Sequence, residues 1–205
     1  MSIRFAVFVL GLSLIVFTGC LNLGEGTHDA TKFYVLSPLS TSEMKTEVPG
    51  DQKPVAIGLG PVTFPEYLNR PHIVARSSGN QLQMAEFARW AEPLGENFSR
   101  VLVENLSALL STDRIVPYPH KKSMPTDYQV MVDVIRFDGT PGGNASLVVR
   151  WTVLGDDGEK VLQKKKSSFS EATDGKSYEA LVSAESRLVT ALSREIAAAI
   201  NAVAQ

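Results

Sequence analysis

Residues 128–169 constrain the fold more tightly than any other part of the chain. Two turn signals, Pro141-Gly142-Gly143 and Asp156-Asp157-Gly158, divide this stretch into runs at 128–137, 146–154 and 160–169, rich in β-branched and aromatic residues. Gly and Asp at such positions supply the backbone conformations of tight hairpins. The stretch therefore reads as a three-stranded antiparallel meander. On its middle run Leu147, Val149, Trp151 and Val153 alternate with Ser146, Val148, Arg150 and Thr152. Successive strand side chains point to opposite faces, so one face is apolar and needs a second layer to cover it.

Two segments can supply that layer. In residues 94–111, Leu94, Phe98, Val101, Leu102, Leu106, Leu109 and Leu110 form one helical stripe, with Glu96, Arg100, Glu104 and Ser107 outside it. In residues 177–203 the stripe is Leu181, Leu188, Leu192, Ile196, Ala199, Ile200 and Val203, with Ser177 placed to cap the helix and Glu179 in its first turn. Further β-rich runs cover 32–36, 55–59, 72–76 and 81–89. The order strands, helix, strands, helix predicts an α/β fold of the α+β type: a two-layer sandwich of mixed or antiparallel sheet with two main helices. The chain has 205 residues, 44% of them hydrophobic, enough for one such domain over residues 32–205 and too few for two large catalytic domains. Residues 37–53 lack periodicity, and a connection of that length inside a domain is either mobile or functional.

The N-terminus reads as an address. After Arg4 comes an apolar run from Phe5 to Phe17, interrupted by Gly11 and Ser13 and too short to span a bilayer comfortably. It ends in Phe17-Thr18-Gly19-Cys20, where Cys20 is the only cysteine of the chain. This resembles a bacterial lipobox, with Phe17 in place of the usual Leu. The resemblance implies removal of residues 1–19 and acyl lipid, palmitate included, on Cys20. Each buried methylene contributes about 0.8 kcal/mol, so several chains anchor stably where one is marginal. Leu21, rather than Asp, follows the cysteine and by the sorting rules of such signals favours the outer membrane. Residues 20–31 are polar and Gly-containing and form a tether. Its eleven residues after Cys20 reach at most about 40 Å, which keeps the domain close to the membrane on the periplasmic side.

Charge and composition remove whole classes of function. The formal charge is −2, and loss of Arg4 leaves 19 basic against 22 acidic residues, so nothing global attracts nucleic acid. His28, His72 and His120 are too far apart to form a ligand pair. There is no G-x-S-x-G elbow. Gly58-Leu59-Gly60 is followed by Pro61 and Pro65 rather than by a helix, so those glycines are read as letting a strand bend. Lys164, Lys165 and Lys166 lie on a strand, where neighbours face opposite sides; they read as guards of an edge strand rather than as one patch. No catalytic, metal or cofactor-binding residue is expected, and the only cofactor is the covalent lipid.

The informative stretch is Pro61-Val62-Thr63-Phe64-Pro65-Glu66-Tyr67-Leu68-Asn69-Arg70-Pro71-His72-Ile73-Val74, followed later by Arg89-Trp90-Ala91-Glu92-Pro93-Leu94. Pro65 and Pro71 stiffen a loop that presents Tyr67, Leu68, Asn69 and Arg70. Two readings stand together. In one, these residues and Trp90 are anchors of a partner interface. In the other, Tyr67 and Trp90 close one end of the core while Arg70 pairs with Glu66 or Glu92.

These two motifs, with Phe33-Tyr34-Val35-Leu36 before them and the lipobox in front, resemble the PqiC (YmbA) family of ABC-type transport auxiliary lipoproteins. The resemblance extends from Lys32 to the end of the last helix. It implies an outer-membrane lipoprotein working with an MCE-domain protein of PqiB type, a ring-forming protein that reaches across the periplasm in intermembrane lipid transport. On that reading the protein docks the MCE protein at the outer membrane and supports envelope integrity, without catalysis. A homo-oligomer is expected by analogy, a ring being the form that would close around a tubular partner. The rival is a periplasmic lipid carrier holding an acyl chain between sheet and helix. An envelope hydrolase ranks last, for want of a nucleophile constellation.

Overall fold

Each run assigned to a strand from its periodicity forms one in the computed structural model, which describes residues 30–40, 55–119, 125–155 and 158–204. Strand β1 is Lys32–Tyr34, β2 Ile57–Thr63, β3 His72–Arg76, β4 Leu82–Trp90, β5 Ile115–Pro117, β6 Tyr128–Gly139, β7 Asn144–Gly155 and β8 Lys160–Ala172. Helix α1 is Leu94–Leu110 and helix α2 is Tyr178–Val203. The signal segment, Cys20, all but the end of the tether, His28, residues 41–54, His120 and the Asp156-Asp157 pair lie outside the described residues. Thr31–Gln205 forms a unit of its own.

The meander is present as β6, β7 and β8, antiparallel throughout, with Val134 opposite Val149 and Trp151 opposite Lys165. The other flank of β6 is shared. Strand β2 runs parallel to its first half, and β3 meets it in parallel at Gly139. Beyond β2 lies β5, and beyond β3 lie β4 and then β1. The sheet is therefore mixed, eight strands branching from the long central β6.

Both helices cover one face. Helix α2 packs on β6, β7 and β8, α1 on β2 and β5, and the helices pack on each other. The face they cover carries Leu147, Val149, Trp151 and Val153, each at most 1% exposed. Phe98 of α1 stacks edge-to-face on Phe64 and on Phe137, with ring centroids 5.2 and 5.6 Å apart. A fully buried side chain of this size contributes about 1.5–3 kcal/mol. Gly139 admits Leu181 of α2 against the sheet, since a Cβ there would stand 2.7 Å from the Leu181 Cδ1. The Ser177 cap is made: its Oγ accepts from the Ala180 N–H at 3.1 Å.

The Gly58-Leu59-Gly60 stretch does bend. Gly60 has φ +117°, and a Cβ there would sit 2.6 Å from the Tyr118 Cβ. The register against β6 shifts between Leu59 and Val62, so β2 leaves its regular course where only glycine fits.

After β1 the chain crosses both helices. The Leu36 N–H donates to Asn97 Oδ1 at 2.7 Å, Ser37 N–H to Ser186 Oγ at 3.1 Å and Leu39 N–H to Asn105 Oδ1 at 2.7 Å. Leu36 and Leu39 are buried by this crossing. The irregular stretch that follows β1 thus begins as a strap fixed by side chains of α1 and α2.

Candidate functional site: a cleft built by two sequence motifs

The segments 33–36, 65–71 and 89–94 are distant in sequence and adjacent in space. Tyr34 is the register partner of Trp90, and its carbonyl accepts from the Ala91 N–H at 2.9 Å. The Trp90 N–H donates to the Pro71 carbonyl at 2.7 Å. Between β2 and β3, Glu66–Leu68 forms a single 3-10 turn entered from an extended Pro65. Leu68 and Asn69 N–H donate to the carbonyls of Pro65 and Glu66 at 3.0 and 3.1 Å. The two prolines and this closed turn give the loop one shape.

The loop, the end of β4 and the start of α1 enclose an open cleft of about 560 Å³, lined chiefly by Phe64, Leu68, Arg70, Trp90, Pro93 and Leu94. A second cleft of about 690 Å³ adjoins it, walled by Pro61, Val103, Pro117 and Tyr118 between β2, β5 and α1. Val62, Asn69, Pro93 and Gly95 line both.

The five residues nominated as interface anchors occupy different environments. Leu68 and Trp90 belong to the core, 4% and 6% exposed. Tyr67 is half-buried and donates from its hydroxyl to Asp138 Oδ2 at 3.0 Å. Asn69 is exposed at the rim shared by the two clefts, its amide 3.4 Å from Glu66 Oε1. Arg70 is half-buried; its Nη1 lies 3.1 Å from the Met84 sulfur, and its Nε is buried without a partner. Arg70 pairs with neither Glu66 nor Glu92. The Glu92 carboxylate is taken by the Asn97 amide at 2.8 Å and by Arg100. Cys20, the lipidation candidate, is outside the described residues.

Beneath the loop lies a charged network that the sequence reading missed. Asp138, fully buried, accepts from Arg76 Nη2 at 2.7 Å, from Arg136 Nε at 2.9 Å and from Tyr67. Burial alone pushes its carboxyl up, but the hydrogen bonds from Arg76, Arg136 and Tyr67 outweigh burial and hold it below the usual carboxylate range. Burial, with the Asp138 charge second, pushes the Tyr67 phenol up to about 12. Glu185 of α2 is buried with Oε2 unpartnered, and burial first, the Asp138 charge second, raises its pKa well above the ordinary value. The signal for Asp138 was its place two residues beyond Arg136, which puts both on one face of the same strand. Asn97 and Asn105 were also missed; their signal was two amides inside an apolar stripe.

Among the described residues no three His, Cys, Asp or Glu side chains gather to hold a metal ion, and no helix is long and apolar enough to cross a membrane. The arrangement is a preformed recess with a rigid rim, suited to receiving a ligand or a chain segment.

No curated protein matches the sequence. The fold is similar to the crystal structure of a Xanthomonas campestris protein of family DUF330, with TM-score 0.67 and 16% identity over 82% of this chain and 93% of that one. It is equally similar to the crystal structure of an uncharacterized protein, with TM-score 0.67 and 20% identity over 84% and 99% of the two chains. At these identities the likeness establishes the fold alone. The model of the family described as the ABC-type transport auxiliary lipoprotein component matches residues 34–197, most of the unit that carries the cleft, and the chain belongs to that family.

Proposed function

We propose that this lipoprotein is held on the periplasmic face of the outer membrane by acyl lipid on Cys20 and docks the tip of a periplasm-spanning MCE protein of PqiB type, in a system that moves lipid between membranes and supports envelope integrity. Residues 1–19 are the signal segment, 20–31 the tether and 32–205 the docking domain. The protein works as a homo-oligomer, a ring being the closed arrangement that suits a tubular partner. It carries out no catalysis and needs no cofactor beyond the covalent lipid.

The observation that carries this reading is the convergence of two motif segments, 65–71 and 89–94, on one open cleft, with the third, 33–36, bonded to the backbone of the second. A rigid recess lowers the ordering cost of receiving a partner. The tether reaches at most about 40 Å, so the partner provides the span. Cys20→Ala tests the anchor: the variant should leave the membrane fraction while the domain keeps its fold, and continued outer-membrane fractionation contradicts the assignment. Leu21→Asp tests the membrane, with a shift toward the inner membrane expected.

The neighbouring 690 Å³ cleft between sheet and α1 favours a second reading, a carrier that shelters an acyl chain. Native mass spectrometry of the protein separates the two. A carrier retains phospholipid, whereas a docking component captures the MCE protein and comes out lipid-free apart from its anchor.

A further inference from the structure

The three consecutive lysines of β8 do not act as one group. Lys165 shares the helix-covered face with Trp151 and pairs with Glu195 of α2 at 3.0 Å. Lys164 and Lys166 project from the opposite face, in register with Thr152 and Arg150 of β7. On that face a row crosses four strands: Thr63 Oγ1 donates to Asp133 at 2.9 Å, Arg150 donates to Asp133 at 3.1 Å, and Lys166 stands beside Arg150. Asp133 is the one exposed acid that the register places on this face of β6, β7 and β8, and Arg150 and Thr63 already occupy it. Lys164 and Lys166 are exposed and pair with no acid among the described residues. No helix covers the face, and no strand lies beyond β8 among the described residues.

From this juxtaposition of Arg150, Lys164 and Lys166 on an uncovered sheet face we propose that the outer face of β7 and β8 rests on anionic phospholipid headgroups. A chain of net charge −2 concentrates cations here, so the attraction is local rather than global. Basic residues near an anionic bilayer are drawn to it over a distance set by the salt. The anchor of a lipoprotein holds this domain beside such a surface, which favours a membrane over an acidic protein as the occupant. The proposal rests on the lipoprotein family and not on the docking of an MCE partner.

The test uses the lipidated full chain in vesicles of phosphatidylethanolamine with or without phosphatidylglycerol. Ser168 lies on the same face as Lys166, and because Cys20 is the only native cysteine, S168C carries a single environment-sensitive fluorophore once Cys20 is acylated. A label at A198C on the exposed side of α2 is the control. The proposal expects a blue shift at position 168 and not at 198 in phosphatidylglycerol vesicles. That shift should fall several-fold at about 1 M salt, where the Debye length is about 3 Å, and vanish in K164E/K166E with unchanged melting. An equal response without phosphatidylglycerol, no response at 168, or a response that survives the double charge reversal overturns it, leaving the lysines as edge guards or as the seat of an acidic protein.

Discussion

The hydroxyl of Tyr67 and the Oδ2 of Asp138 lie 3.0 Å apart, joining the motif loop to the far end of the central strand. The side chain that looked most like an interface anchor in the sequence is thus also a strut beneath the loop. Hydrogen bonds to charged groups contribute about 1.5–3 kcal/mol, so Tyr67→Phe should lose about that much in urea unfolding while Arg76 and Arg136 continue to hold Asp138. An unchanged unfolding midpoint would show that the contact contributes nothing.

Two buried carboxyls give opposite dependences on pH. Asp138 titrates below the usual range when folded, so its stabilisation is present above the ordinary carboxylate pKa and is lost as pH falls through the folded value. Glu185 titrates above its ordinary 4.5. The native state keeps that proton while the unfolded chain releases it, so stability drains as pH rises from that value toward the folded one, by about 1.4 kcal/mol per pH unit inside the window. Glu185→Gln should match the parent at acid pH and be more stable near neutrality. Parallel unfolding curves at acid and neutral pH check it, and an equal or lower neutral stability for the variant contradicts the buried, protonated state.

Asn105 fastens the strap through the Leu39 amide and reaches Ser193 of α2 at 3.1 Å. Asn105→Ala leaves the Leu39 N–H buried and unpaired at a cost of about 1–3 kcal/mol. Hydrogen exchange should show the Leu39 amide losing protection before the strands of the meander do. Retained protection there would mean that the strap is held by the burial of Leu36 and Leu39 alone.

The meander was legible from its two turn signals and the alternation of its middle strand, and α1 and α2 from their helical stripes. Ser146–Val153 alternates cleanly, and Ser177 precedes an amphipathic stripe. The strand Ile115–Pro117 was not, since three residues cannot display alternation. In β4 the buried residues are Ala85, Ala88 and Trp90, a spacing set by the irregular register against β3 between His72 and Val74, which only the partner strand determines. The same limit applies to the site. Sequence spacing placed the Tyr67 to Arg70 loop and Trp90 in one neighbourhood, yet Leu68 and Trp90 turn into the core while Asn69 stays at the rim. A large apolar residue on a proline-bounded loop satisfies an interface or a core equally well, and the choice is made by chain that arrives from β1 and α1. Asp138 escaped notice because its partner Arg76 comes from a strand that meets β6 at a single register position.

The most direct test of the central claim is photocrosslinking in cells from position 69, where the exposed Asn69 borders both clefts. The folded protein tolerates change there, because the side chain makes one long contact to Glu66. A photoreactive residue at 69 should capture the periplasm-spanning MCE protein, whereas the same residue in place of the exposed Lys176, in the turn before α2, should not. Capture from position 176 with none from position 69, or no MCE protein from either, contradicts the assignment of the motif-built cleft as the docking surface.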